Sequence, residues 1–337
     1  MVRLNPFAGP RAIVPLTAGL LALGLVPALA DAQVVQDPDS ARLVLDDLRH
    51  FADALLALPS AGTATESVAV LQRQYFDRAT PGLRAYIERY AVRPDSLAAI
   101  IARRARYYQS LATMSQRVAV LEPKLRAAFT ALKRLYPPAV YPPVYFLVAN
   151  CGAGGTTRPE GLLIAAEIYG CANGVPADEG PDAGLAAEPT RNLPYLVAHE
   201  LVHYQQAGAQ GLEAYRAVFG ERRSLLALAI REGSADFLGE LISGGNINST
   251  AKEYGLKNEG TLWVEFAREM RGRETGDWLF VRPKRPGWPQ DLGYFMGYRI
   301  VQAYYQSHAD RAAALRAILG VRDYETFLRD SGYAGRF

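Results

Sequence analysis

Residues 196–206 read Leu-Val-Ala-His-Glu-Leu-Val-His-Tyr-Gln-Gln in a chain of 337 residues. His199 and His203 are four positions apart, so a helix places both imidazoles on one face, where each can give a nitrogen to one Zn²⁺. Glu200, beside the first histidine, can hydrogen-bond a metal-bound water but is not placed to be a ligand itself. Apolar neighbours predict that this helix is buried, where unpaired polar groups are costly. The stretch therefore predicts a metal site; the alternative is two surface histidines on a helix.

A second apolar helix, predicted at 228–241, supplies a candidate third ligand. Glu232 lies inside it, and a carboxylate there suits the third position and leaves the fourth for water. Asp236, one turn on, can accept the free ring N–H of a ligand histidine and so fix its tautomer. The alternative is that Glu232 is a solvated carboxylate with Arg231 or Arg223 nearby.

This arrangement resembles the gluzincin metallopeptidases, in which a His-Glu-x-x-His helix is followed by a second helix with a Glu-x-x-x-Asp or similar pattern. More closely, the chain is similar to a bacterial family of predicted zinc-dependent proteases of uncharacterised function, related to the gliding-motility lipoproteins. The chain has no lipobox, so the membrane role of those relatives is not transferred to it. The likeness covers roughly 140–306 and rests on the stretches 144–168, 199–206, 231–241, 256–266 and 291–300.

The resemblance implies a zinc metallopeptidase of gluzincin type that acts on a peptide or protein substrate. His199, His203 and Glu232 match the ligand positions, and Zn²⁺ is the implied cofactor. Glu200 matches the general base, which takes the proton of a zinc-activated water. The stretch 204–231 between the second histidine and the third ligand is longer than in thermolysin-like members.

The resemblance also implies a second donor for the developing oxyanion, from a downstream helix. Tyr298 is the first candidate and Tyr294, one turn earlier, is the second; the alternative is that both tyrosines only pack the helix. Substrate backbones in this superfamily pair with an exposed edge strand near the zinc helix. The glycine-containing segment 152–158 is the candidate, because its glycines let another backbone approach.

The surrounding pattern predicts an α+β fold that is mostly α. Residues 33–138 read as a helical N-terminal region, and 139–337 as a zincin-like metallopeptidase domain. In that domain two short apolar β-type runs, 144–150 and 161–170, precede further helices. The expected zincin-like core is a small mixed sheet with an edge strand plus the active-site helix, with helical parts on either side.

The two cysteines, Cys151 and Cys171, constrain the order of this sheet. In a simple hairpin of the two runs they would lie roughly 20 Å apart, whereas a disulfide needs Cα atoms within about 7 Å. Parallel runs, with 152–158 returning as an antiparallel edge, bring both cysteines to equivalent strand ends. An exported chain favours a disulfide, so we predict the parallel arrangement and a Cys151–Cys171 bridge.

Residues 1–32 have the form of a secretory signal peptide, with Arg3 and Arg11 before an apolar stretch that ends in small residues. They predict a hydrolase that is exported to the periplasm or secreted; the alternative is an uncleaved membrane anchor. No second stretch could span a membrane, so no stable membrane span is expected after cleavage. The net charge of +3 is too even for a nucleic-acid partner.

Two other functions remain open on the sequence alone. One is a zinc hydrolase that acts on a non-peptide amide or ester. The other is a non-catalytic interaction protein of the cell envelope with a vestigial metal site. Glu200 argues against the second, because a merely structural site has no use for a base beside a ligand and would close the fourth position with protein.

Overall fold

The computed structural model describes residues 34–150, 153–170, 188–218, 223–280 and 283–337. The predicted signal peptide and both cysteines lie outside these residues. Of the described residues 67% are helical, and the described strands form one small mixed sheet of four strands, which confirms an α+β fold that is mostly α. None of the described helices is long and apolar enough to cross a membrane.

The N-terminal part is a series of short helices around one two-residue strand. Many of its helices begin at a proline or a capping residue; Thr80, for example, accepts a hydrogen bond from the backbone N–H of Leu83. The elements are β1 (Leu43–Val44), α1 (Asp46–Ala57), α2 (Ala64–Leu71), α3 (Pro81–Tyr90), α4 (Pro94–Arg103), α5 (Ala105–Ser110), α6 (Met114–Ala119) and α7 (Glu122–Leu135).

The sheet has the strand order β1-β2-β4-β3. Strands β2 (Val144–Leu147) and β4 (Gly161–Ala165) run parallel, and β3 (Gly155–Arg158) pairs with β4 in antiparallel fashion at the edge. The predicted parallel arrangement with a returning edge segment is therefore confirmed. Strand β1 was not predicted, because its two apolar residues continue the helical pattern of α1; it pairs in parallel with β2.

The N-terminal part and the sheet share one apolar core. The buried hydroxyl of Tyr75 donates to the carbonyl of Val148 and accepts from its amide, at 2.6 and 2.9 Å. Tyr86 of α3 makes the same pair of bonds with Ala153, just before β3. The described residues accordingly belong to one compact unit, in which the N-terminal helices brace the sheet.

The C-terminal part is helical and carries the stretches singled out above. Its helices are α8 (Leu193–Gln210), α9 (Leu212–Ala217), α10 (Leu225–Ser243), α11 (Ser249–Glu269), α12 (Leu292–Ser307), α13 (Arg311–Leu319) and α14 (Tyr324–Ser331). Helix α11 continues across a kink at Asn258. Helices α13 and α14 are separated at Gly320, and an Asp323 cap begins α14.

Helices α10 and α12 touch backbone to backbone at two glycines. A Cβ built on Gly297 would lie 1.7 Å from the carbonyl oxygen of Ala229, and one on Gly233 would lie 2.1 Å from the carbonyl carbon of Gly297. No side chain fits at either position without moving the helices apart. The contact fixes Glu232, the residue before Gly233, against the helix that carries Tyr294 and Tyr298.

Candidate metal centre

Helices α8 and α10 bring the three predicted ligands together in the interior. His199, His203 and Glu232 are 4%, 5% and 5% exposed. The two histidine Nε2 atoms are 3.0 Å apart, and Glu232 Oε2 lies 3.5 Å from His199 Nε2 and 3.1 Å from His203 Nε2. Each residue offers one ligand atom to a common point. The alternatives of surface histidines and a solvated glutamate are therefore wrong.

The spacing of these three atoms suits a small tetrahedral cation. Bonds of 2.0–2.2 Å at tetrahedral angles place neighbouring ligand atoms about 3.3–3.6 Å apart. One of the three observed separations lies in this range, and the other two are shorter by a few tenths of an ångström. Two imidazoles and one carboxylate are also a ligand set that zinc uses when a fourth position is kept for water. The residues present fit a bound Zn²⁺.

A hydrogen bond to Asp236 orients the first histidine. His199 Nδ1 lies 2.8 Å from Asp236 Oδ1, and the other oxygen, Oδ2, accepts from Asn248 Nδ2 at 2.8 Å. Because the carboxylate only accepts, the proton of the neutral ring belongs on Nδ1, which leaves the lone pair of Nε2 for a metal. The placement of Asp236 is the one expected from the sequence.

Gln206 orients the second histidine, and the sequence did not predict this role. Its Oε1 lies 2.8 Å from His203 Nδ1, and its Nε2 donates to the carbonyl of Arg231 at 3.2 Å. The bond to Arg231 fixes which end of the amide faces the imidazole, so His203 also carries its proton on Nδ1. The sequence offers one indication of this role: Gln206 follows His203 by three residues, and residues at this spacing lie on one face of a helix.

We expect Gln206→Leu to lower zinc affinity by about 10- to 100-fold, because His203 loses the acceptor that fixes its tautomer and ring orientation. Gln210→Leu is the matched control: Gln210 is on the same helix and equally buried, but donates to the carbonyl of Leu319. Competition against a chromogenic chelator measures both affinities. Equal affinities in the two variants would contradict a role for Gln206 at the metal centre.

The charges of the centre favour a cation among the three ligands. Burial opposes a proton on His199, but hydrogen bonds to Asp236 and Glu232 outweigh it and raise the pKa of the imidazole to about 10. Burial likewise opposes ionisation of Glu232, but His203 and His199 hold the pKa of this carboxyl well below its usual range. Positive charge is therefore stabilised at this point, whether a proton or a metal ion supplies it.

Glu200 lies beside this group, on α8, and is 6% exposed. Edge strand β3 packs on the helix here: Thr157 Oγ1 lies 2.9 Å from the Glu200 carbonyl oxygen and 3.1 Å from Oε2. The sequence places Glu200 next to a ligand but gives no indication of this contact, which depends on the approach of strand and helix.

The two candidate tyrosines lie in different surroundings. The ring of Tyr294 stacks on that of His199, with centroids 6.1 Å apart. Burial, reinforced by the charge of Glu232, raises the pKa of Tyr294 well above its usual range, so its hydroxyl keeps its proton. Tyr298 accepts a hydrogen bond from Lys252 Nζ at 3.2 Å.

Comparison with protein families, with curated proteins and with solved structures finds no match for this chain.

Proposed function

We propose that this protein is an exported, zinc-dependent hydrolase of peptide bonds. The observation that carries the proposal is the convergence of His199, His203 and Glu232 on one point, at separations within a few tenths of an ångström of those around a tetrahedral zinc ion. Three protein ligands leave the fourth position for a water, as in catalytic rather than structural zinc sites. Glu200, adjacent to the first ligand, gives this water a base.

In the proposed mechanism zinc, when bound, supplies a Lewis acid that lowers the pKa of water toward neutrality and polarises the substrate carbonyl. Glu200 takes the proton of the attacking water and later returns it to the leaving nitrogen. Asp236 and Gln206 hold the two imidazoles in the tautomer that ligation needs. Burial excludes bulk water from these charges and so strengthens each electrostatic interaction.

The arrangement of sheet and helix supports a peptide as the substrate class. Strand β3 lies at the edge of the described sheet and packs on the helix that carries Glu200. An extended peptide that adds to this edge would pass the base, which is the layout of a zincin-like core. A small amide or ester substrate would not need such an edge.

Elemental analysis of the purified mature protein, with cleavage of a peptide library with and without chelator, tests the proposal. We expect one zinc per chain and cleavage that stops on chelation and returns with Zn²⁺. Bound zinc with hydrolysis of esters or other amides alone would favour the non-peptide alternative. Bound zinc without any hydrolysis would favour a vestigial site, and lack of zinc at neutral pH without chelator would remove the mechanism.

The ring of Tyr294 stacks on that of His199, a proposed ligand, so we propose Tyr294 as the oxyanion donor in preference to Tyr298. We expect Tyr294→Phe to lower kcat by about 100-fold, because removal of one such donor costs about 10²–10³ in rate, and to leave zinc content unchanged. Tyr298→Phe is measured beside it. A larger loss for Tyr298→Phe would assign the role to Tyr298, and two small losses would assign it to neither residue.

A further inference from the structure

Two residues of the edge strand form a slot for the Glu200 side chain. Gly155 and Thr157 are two positions apart on β3 and therefore lie on the same face of the strand. A Cβ on Gly155 would lie 2.7 Å from both Cγ and Oε1 of Glu200, so the carboxylate rests directly on the glycine backbone. At the other end of the slot, the Thr157 hydroxyl reaches Oε2 at 3.1 Å.

The hydroxyl of Thr157 has two acceptors on the same residue. Besides Oε2, it lies 2.9 Å from the backbone carbonyl oxygen of Glu200. It carries one proton and donates to one of them at a time, but rotation about the C–O bond serves both without moving a heavy atom. Threonine is also stiff at χ1, because its Cβ is branched. This one side chain therefore lies within hydrogen-bond distance of both the backbone carbonyl and the carboxylate of Glu200.

We propose that Thr157 is a positioning residue that sets the orientation of the Glu200 carboxylate, with Gly155 providing the space. The inference rests on the proposed function of Glu200 as the base. A glutamate has three side-chain torsions, and a base works only within hydrogen-bond reach of the proton that it takes. A displacement of about 1 Å in such a group can cost 100-fold in rate. Strand β3 thus takes part in catalysis through its side chains.

Thr157→Val tests this proposal, because valine keeps the branched shape and removes only the hydroxyl. We expect kcat to fall by about 10- to 100-fold, with KM within twofold and zinc content unchanged. Thr157→Ser, which restores the hydroxyl, should recover kcat to within about threefold of the wild type. Thr190→Val is the matched control: it also removes a half-buried hydroxyl that donates to a backbone carbonyl, that of Tyr169 at 2.7 Å, but away from Glu200.

A binding measurement keeps the test independent of turnover. Acetohydroxamate chelates zinc and offers a proton that the Glu200 carboxylate accepts. Its dissociation constant for the zinc-loaded protein should rise about 3- to 10-fold in Thr157→Val and return in Thr157→Ser, since one charge-assisted hydrogen bond is misplaced. Gly155→Ala, which pushes the carboxylate out of its slot, should weaken binding to a similar extent and also serves if the valine variant fails to fold.

The outcomes separate this inference from the proposed function. If the wild type cleaves peptides but Thr157→Val and Gly155→Ala match it in kcat and in acetohydroxamate affinity, the inference is wrong and the function stands. If the wild type cleaves no peptide but both variants weaken acetohydroxamate binding, the positioning of Glu200 stands and the peptidase proposal fails. A fall in zinc content that accounts for the whole loss of kcat would overturn the positioning role.

Discussion

Glu200→Gln is expected to retain one zinc per chain and to lose about a thousandfold in kcat. The amide keeps the length of the side chain and an oxygen that Thr157 can still bond, so the slot on β3 remains filled. It cannot take up a proton, and loss of a general base typically costs about 10²–10⁴ in rate. KM should change little, because the substitution removes an interaction made mainly in the transition state.

Steady-state kinetics on one cleaved peptide, with elemental analysis of the same preparation, measures this result. Glu213→Gln is the control, since Glu213 lies on the exposed surface of α9. A Glu200→Gln enzyme with kcat within tenfold of the wild type would exclude Glu200 as the base. A variant without zinc would mean that Glu200 supports the metal centre itself, and the rate loss would then say nothing about proton transfer.

Glu232→Ala is expected to leave a protein that no longer retains zinc during purification. It removes one of three protein ligands, so the loss of affinity should exceed the roughly 100-fold that an outer-shell partner costs. The same change removes the stabilisation by zinc, which for the wild type is about 2.7 kcal/mol at free zinc 100-fold above its Kd. The melting temperature of the wild type should therefore rise on addition of zinc, whereas that of the variant should not.

Glu240→Ala is the control for the Glu232→Ala experiment. Glu240 is two turns further along α10 and accepts hydrogen bonds from Lys252 rather than from a histidine. It should retain zinc and the zinc-dependent rise in melting temperature. Wild-type zinc affinity in Glu232→Ala would show that the third ligand is a different residue and would remove the geometric basis of the proposed function.

The sequence predicted the parts of the site that follow from position along one helix. The spacing of His199 and His203 fixes their common face, and the spacing of Glu232 and Asp236 places a ligand and its neighbour on one side of α10. The parallel pairing of β2 with β4 and the antiparallel edge segment were also predicted correctly, from the reach of a disulfide between two cysteines that lie outside the described residues.

The missed features depend on how separate elements approach one another. Strand β1 is a strand only because it pairs with β2. It could not be predicted, since two residues are too few to show the periodicity of a strand. In the sequence Gln206 resembles any other helical glutamine. Its role depends on the carbonyl of Arg231, which orients its amide. The contact of Thr157 with Glu200 joins residues 43 positions apart. Apart from the spacing of Gln206 from His203, the local sequence pattern does not contain this information, because each feature is set by packing.

The glycine contact between α10 and α12 bears on how these two helices can move. Because the backbones touch at Gly233 and Gly297, a shift of α12 relative to α10 would break close contacts next to Glu232. We therefore expect that these two helices move as one block. A ligand that separates β3 from α8 should then alter the orientation of Glu200, which contacts Thr157 on β3, before it disturbs the three candidate metal ligands, which lie on α8 and α10.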